Sequence, residues 1–373
     1  MIHLAQLHCS KTWSLGVLAI LVLTAFSCSN KQQDHSREKK YEQKQKQNTY
    51  QEVASLRVKN QKELYTAGDG IEFYLEWPDS IKVDSLKTYA NTIQQQTLYK
   101  ETNNIHMSTE GLPMGNNTFK VQAWLSNGHK ETHYLSLKIK SDIHPKQLPC
   151  HVEKTYPHDP TAFTQGLYFE DGFLYEGTGR RGESTLRKTE LSSGELVSSL
   201  ALPPEYFGEG ITGYKDKIIQ LTWTSRTGFI YDKKNFRLIN KVRYPTEGWG
   251  LTTDGERLIM SDGTATIYFL TPNFNETGRI KVYDHNGPVQ NLNELEYING
   301  KVYANVYQQD FIISFNPENG KVLEKMDCST LVPDQYKSSR EYVLNGIAWD
   351  AQSQCLLLTG KKWDKVYQIS LPR

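Results

Sequence analysis

Glu209 stands between two glycines, in the stretch Tyr206-Phe207-Gly208-Glu209-Gly210-Ile211, just after Pro203-Pro204. A carboxylate carried on so short and bare a segment suits an acid/base group that takes up and returns one proton. The chain holds other groups that could serve a site: an amine at Lys361, amides at Gln165 and Asn293, and rings at Trp223, Trp249 and Tyr307. Read singly, each has an ordinary structural use. Glu209 fits a turn with a solvated carboxylate, and the two tryptophans fit packing. Lys361-Lys362 fits a surface charge pair, and Arg180-Arg181 a solvated loop. What gathers these residues into one site is the set of elements that must carry them.

Glu209 belongs to a repeat. Short apolar strands begin near Gly166, Gly210, Gly250, Leu295 and Gly346, 40 to 51 residues apart. Each is followed by a polar turn (Asp171-Gly172, Lys215-Asp216, Asp254-Gly255, Asn299-Gly300, Ala351-Gln352), then by a second and a third strand. Periods in the forties with several strands per unit are those of propeller blades. Five copies predict a five-bladed β-propeller over residues 148–373. The last copy stops at its third strand near Ile369, while His151 to Thr155 is a strand without a copy. Pairing the two closes the ring and protects an edge.

In such a ring the start of each first strand and the end of each antiparallel second strand share a rim. The first positions are Gln165, Glu209, Trp249, Glu294 and Asn345, with Asn293 one place earlier; the second are Thr178, Trp223, Gly263, Tyr307 and Lys361. The two columns are expected to converge on one channel mouth. Their types differ most where blades face each other, as a single asymmetric site requires.

The rest of the chain frames this domain. Residues 1–28 read as a signal peptide, with an apolar run from Leu15 to Phe26 too short to span a bilayer. Ala25-Phe26-Ser27-Cys28 resembles a bacterial lipobox, so Cys28 is the expected lipidation site, a lipid anchor its only membrane attachment, and the bacterial cell envelope the expected location. Phe26 departs from the tightest form, and plain secretion is the alternative. Residues 29–52 read as a disordered tether rich in Lys, Gln and Glu. Residues 53–143 alternate as short strands, with an Asn127-Gly128 hairpin turn, and read as a small immunoglobulin-like β-sandwich. The segment Ser141 to Cys150, with two prolines, reads as a linker. The whole is expected to be all-β and monomeric.

Composition narrows the chemistry. A net charge of +1 over 373 residues gives no general attraction to nucleic acid. The propeller part has only His151, His158 and His285, without ligand spacing, and there is no HExxH, CxxC, phosphate loop or nucleophile elbow. No metal or other cofactor is expected. Setting aside Cys9 and Cys28 leaves Cys150, Cys328 and Cys355; the sequence allows one bridge among them in an oxidising compartment but does not choose it.

At these motifs the sequence resembles the plant-type and bacterial glutaminyl-peptide cyclotransferases. The stretches that carry the resemblance are FTQGL (Phe163 to Leu167), FGEGIT (Phe207 to Thr212), LTWTSRTGFIYD (Leu221 to Asp232), GWGLTTDG (Gly248 to Gly255), NLNELEYING (Asn291 to Gly300), and LNGIAWD with TGKKW. They cover Cys150 to Arg373 and do not reach the sandwich. The resemblance implies a five-bladed propeller that converts an N-terminal glutamine to pyroglutamate and releases ammonia. It places the catalytic carboxylate on Glu209, polar partners on Gln165, Asn293 and Lys361, and the aromatic pocket on Phe163, Phe207, Trp223 and Trp249. Where the plant pattern has tryptophan this chain has Tyr303 and Tyr307; Tyr307 keeps an aromatic wall and adds a hydroxyl. On this reading Glu209 shuttles the proton, Lys361 and Asn293 hydrogen-bond the amide oxygen as it becomes anionic, and Gln165 orients the amine. The competing readings are a non-enzymatic propeller scaffold or peptide-binding lipoprotein and, more weakly, a metal-dependent lactonase.

Overall fold

The computed structural model describes residues 50–99 and 103–372. The expected signal peptide, Cys28 and the tether as far as residue 49 lie outside the described residues. What is described is all-β, interrupted only by the short turns of 3-10 helix Ser329–Leu331 and Asp334–Tyr336.

The N-terminal strands form two sheets. A three-stranded sheet runs Ser55–Val58, Gly70–Glu76, Asn104–Ser108, and a five-stranded one runs Tyr65–Thr66, Lys130–Lys140, Gly115–Leu125, Val83–Ala90, Ile93–Tyr99. Gly70–Glu76 shows the half-buried pattern expected of a strand with one wet face: Ile71, Phe73 and Leu75 are buried and their neighbours are not. Phe73 meets Phe119 of the other sheet with ring centroids 5.2 Å apart. The Asn127-Gly128 turn joins Gly115–Leu125 to Lys130–Lys140 as expected, with Gly128 at φ 82°.

Five further sheets follow, each with four antiparallel strands, and the fourth of them gains a fifth strand at its outer edge. Their innermost strands are Thr164–Glu170, Gly208–Tyr214, Leu251–Thr253, Leu292–Ile298 and Leu344–Asp350. Each innermost strand contacts the next, and the fifth contacts the first, so the five form a closed ring. Layering follows from sequence. The second strands, such as Lys217–Thr222, are buried on both faces and read as near-continuous apolar runs. Outermost strands such as Leu196–Ala201 and Leu238–Arg243 are mostly exposed.

Apolar clusters fill the space between neighbouring sheets. Ile211 packs with Tyr168 and Leu186, Leu251 with Ile219 and Leu221, and Leu295 with Ile259 and Phe269. Ile347 packs with Ile298 and Tyr303, and Leu167 with Ala348 and Leu357, which completes the circuit. The fifth sheet takes its outer strand from the other end of the ring: Val152–Pro157 pairs with Lys365–Ser370, placing Val152 opposite Ile369 and Tyr156 opposite Val366. The segment expected as a linker is partly strand. Lys146–Leu148, between Pro145 and Pro149, adds in parallel to the open edge of Val322–Asp327, whose unpaired backbone groups offer it a ladder.

Glycines set how closely the inner strands approach. A Cβ on Gly166 would lie 2.3 Å from Ile211 N, one on Gly210 2.5 Å from Trp249 O, and one on Gly250 2.0 Å from Asn293 O. All three obstacles are backbone and cannot swing away. Gly250→Ala is therefore expected to lower unfolding stability by about 3 kcal/mol or more, the upper range for overpacking. Gly70→Ala, where the added methyl meets nothing within 4 Å, is the control and should change little. Paired denaturant titrations check this; equal midpoints for the two variants would contradict it.

Candidate functional site

Bulges at the ends of the inner strands aim the candidate residues. Pairing slips between Thr164 and Gly166, between Gly208 and Ile211, and between Leu292 and Leu295. Gln165, Glu209 and Asn293 sit in those slips, where an extra residue turns a side chain out of the ladder. Together with Phe163, Phe207, Trp223, Trp249, Tyr307 and Lys361 they line one cavity of about 190 Å³. All nine residues proposed from sequence as catalytic or substrate-binding therefore meet at one place.

Equal counting along the strands misplaced four others. Glu294 does not face this cavity; it points inward and accepts hydrogen bonds from Leu167 N (3.2 Å) and Ile347 N (2.8 Å). The bulge gives the fourth sheet two consecutive off-ladder residues, and Asn293, the earlier one, reaches the mouth. Asn345 stands behind the wall, and Thr178 is tied to Thr185 by a 2.7 Å hydroxyl pair. Gly263 contributes space: a Cβ there would lie 2.5 Å from the Trp249 ring. Tyr303 is also elsewhere, its hydroxyl turned to Glu324.

The polar groups are held from behind. Asn345 Nδ2 donates to Thr164 O (3.0 Å) and to Gln165 Oε1 (3.3 Å), which leaves Gln165 Nε2 to donate to Glu209 Oε1 at 2.9 Å. Asn293 is buried and its Oδ1 has no protein partner. A buried amide oxygen left open on a cavity wall is a ready contact for a bound molecule.

Two titratable groups are buried here, and burial dominates both. It pushes the Glu209 carboxyl well above the usual carboxylate range; Lys361 opposes this, Glu247 adds to it, and the Gln165 hydrogen bond opposes it. Burial brings the Lys361 amine down to about 8, against the pull of Glu209 and of Glu341. Lys361 makes no ion pair within 4.0 Å among the described residues, and its Nζ lies 4.9 Å from the Phe163 ring centroid and 5.0 Å from that of Tyr307. A carboxyl and an amine whose affinities for a proton are drawn toward neutrality suit reversible proton transfer.

Aromatic rings form the remaining wall in edge-to-face contacts. Phe207 meets Trp223 at 5.6 Å, and Trp249 meets Tyr307 at 5.7 Å. Glu247, which sequence reasoning passed over, orients both indoles: Trp223 Nε1 and Trp249 Nε1 donate to its Oε2 at 2.7 and 3.0 Å. Its signal was present as a carboxylate two residues before Trp249. Arg180 is not free in solvent either. It pairs with Glu341 and lies 4.7 Å over the Phe163 ring, joining two loops at the rim.

A larger cavity, about 540 Å³, lies beside Leu148, Tyr303 and Trp349. Its carboxylate, Glu324, is already engaged by Lys301 and Ser314, each at 2.6 Å. The smaller cavity is the one with buried acid and base groups facing open space.

A family model described as glutamine cyclotransferase matches residues 125–371. The glutaminyl-peptide cyclotransferase of Arabidopsis thaliana is 42% identical over 225 residues, spanning 59% of this chain and 70% of that protein. The crystal structure of Myxococcus xanthus glutaminyl cyclase matches with a TM-score of 0.56 at 33% identity, covering 61% of this chain and 98% of that one.

Glu247→Ala would leave two indole N–H groups without their acceptor, at a cost of about 1–3 kcal/mol. It would also remove a negative charge that raises Glu209. Thermal melts and tryptophan emission should both shift in Glu247→Ala and less so in Glu247→Gln, which keeps a carbonyl acceptor. Identical behaviour of wild type and Glu247→Ala would contradict this role.

Proposed function

The chain belongs to the glutamine cyclotransferase family, and we propose that it cyclises the N-terminal glutamine of peptides or proteins to pyroglutamate with Glu209 as the proton shuttle. The observation that carries this reading is the placement of Glu209. It is buried in a small aromatic cavity, fixed by Gln165, and shares that cavity with Lys361, which is buried and makes no ion pair among the described residues.

The substrate supplies both reacting groups, since its α-amine attacks its own γ-carboxamide carbon. Holding one folded conformer removes most of the entropic barrier. A peptide α-amine titrates at about 8, and burial, which raises the Glu209 carboxyl well above the usual carboxylate range, makes it a stronger acceptor for that amine's proton during attack. The new C–N bond leaves a tetrahedral carbon whose oxygen bears negative charge. Lys361 and the Asn293 amide stabilise that oxygen, as preorganised donors do in oxyanion sites. Glu209 then returns the proton to the leaving nitrogen, the C–N bond of the carboxamide breaks, and ammonia departs. Phe163, Phe207, Trp223, Trp249 and Tyr307 enclose the apolar stem and exclude water, which would otherwise yield glutamate. Every proton in this cycle is moved by the chain's own residues, so no metal is needed.

The architecture that supports this site is a five-bladed propeller over residues 148–373. The closed ring of innermost strands and the borrowed Val152–Pro157 strand support that reading. The two sheets of residues 53–143 are read as an immunoglobulin-like sandwich. Residues 1–28 and 29–52 are read as a lipoprotein signal and tether, with Cys28 as the anchor and the cell envelope as the location. The molecule acts as a monomer, since the cavity is complete within one chain.

Two outcomes follow. Glu209→Gln should fold and melt no lower than the wild type, since it removes a buried carboxyl that works against folding, yet release ammonia from a Gln-initial peptide about 10²–10⁴-fold more slowly; near-normal turnover would remove Glu209 from the shuttle role. Lys361 loses its charge as pH rises through about 8, so wild-type kcat/KM should fall above that pH, where the substrate amine is already neutral. Lys361→Met should be slower by about 10²–10³-fold and flat over the same range. A falling alkaline limb that persists in Lys361→Met would assign the limb to another group.

A further inference from the structure

The register of one parallel strand pair selects two cysteines. Lys146–Leu148 runs beside Val322–Asp327 with Lys146 opposite Glu324, Gln147 opposite Lys325 and Leu148 opposite Met326. Two residues further along, the same register sets Cys150 opposite Cys328. Neighbouring strands lie about 4.7–4.9 Å apart, and a disulfide spans Cα separations of about 4.4–6.8 Å. Cys150 packs against the apolar cluster that contains Leu148, Met326 and Cys328. Cys355 is placed differently: it begins the second strand of the fifth sheet, opposite Ser370, and its thiol donates to Ser353 O.

We propose that Cys150 and Cys328 form a disulfide, a covalent staple between the segment leaving the N-terminal sheets and the outer edge of the fourth sheet. The two thiols are unlike. Cys150 is half-buried and reachable, whereas Cys328 is fully buried. The neighbouring thiol holds Cys150 below the usual thiol range, while that neighbour and burial hold Cys328 above it. That asymmetry gives the order of steps. The Cys150 thiolate attacks an external disulfide, either a small molecule or a protein oxidant, and expels one thiolate. Cys328 then gives up its proton and attacks Cys150 Sγ, expelling the second thiolate. Two protein thiols are oxidised, one external disulfide is reduced to two thiols, and no other reactant is needed.

The staple would act at a distance on the cavity. Cys328 opens the connection that ends at Val343, and that connection forms part of the rim. Its Glu341 pairs with Arg180, and its Val343 O accepts from Lys361 N at 2.9 Å. Anchoring its start also closes a long loop through the first four sheets, the kind of cross-link that most restricts the unfolded chain.

The test uses the full chain, incubated with oxidised glutathione, then digested without reduction and mapped by mass spectrometry. A linked pair of peptides containing Cys150 and Cys328 is expected, and it should persist in Cys355→Ser and vanish in Cys150→Ser. Adding reductant should lower the wild-type Tm by about 5–10 °C and leave that of Cys150→Ser unmoved. Because Cys150 is half-buried, its serine variant should fold even where Cys328→Ser does not. Recovery of both cysteines alkylated after unfolding, a bridge from either one to Cys355, or a wild-type Tm indifferent to reductant would overturn the proposal.

Discussion

Five strands must come together around one axis with no ladder partner on their inner edges. Most other features of the ring answer that constraint. Bare glycines let backbones approach where any Cβ would strike a main-chain atom of the next sheet. The backbone N–H groups left over at the centre are met by buried side chains. Glu294 accepts from Leu167 N and Ile347 N, Glu296 from Trp349 N, Asn305 Oδ1 from Gly346 N, and Ser261 Oγ from Gly250 N. Burial raises both carboxyls, Glu294 well above the usual range and Glu296 to about 8. These acids are structural cross-braces rather than members of the candidate site.

The same crowding creates the cavity. Where the inner strands slip out of register, Gln165, Glu209 and Asn293 are turned toward the mouth, on a frame too tightly packed to relax. Holding Glu209 and Lys361 there works against folding. The raised Glu209 carboxyl disfavours the folded state as pH climbs above the usual carboxylate range. The lowered Lys361 amine disfavours it at pH values below the usual lysine range, most fully below about 8. Near neutrality both groups are therefore harder to accommodate in the folded chain than in the unfolded one. A site that keeps two such groups near each other is one whose chemistry uses them.

Much of this was legible in the residues. The strand starts and polar turns recur every 40 to 51 residues with several short strands per unit, which together mark a sheet repeat, and the unmatched strand at one end predicted its pairing with the other. The nine site residues were legible because seven of them fall on or beside equivalent positions of different sheets, and Phe163 and Phe207 came with the family resemblance. Less visible was anything that depends on register within a bulge. Glu294 and Asn293 are adjacent in sequence and differ only in which way the slipped backbone turns them. Glu247 lies outside the columns and acts through two indoles that the chain brings together only on folding. The strand Lys146–Leu148 hid inside a proline-flanked linker because its partner edge lies about 180 residues away. With it hid the choice among the three cysteines, which spacing alone left open.

The central claim is that the chain closes a lactam inside a water-excluding cavity. The product of a Gln-initial peptide tests it most directly. After incubation with the wild-type chain, mass spectrometry should show the peptide lighter by one ammonia and its N-terminus unreactive to amine labelling. A peptide returned unchanged, or one converted to an N-terminal glutamate with its amine still free, would contradict the account.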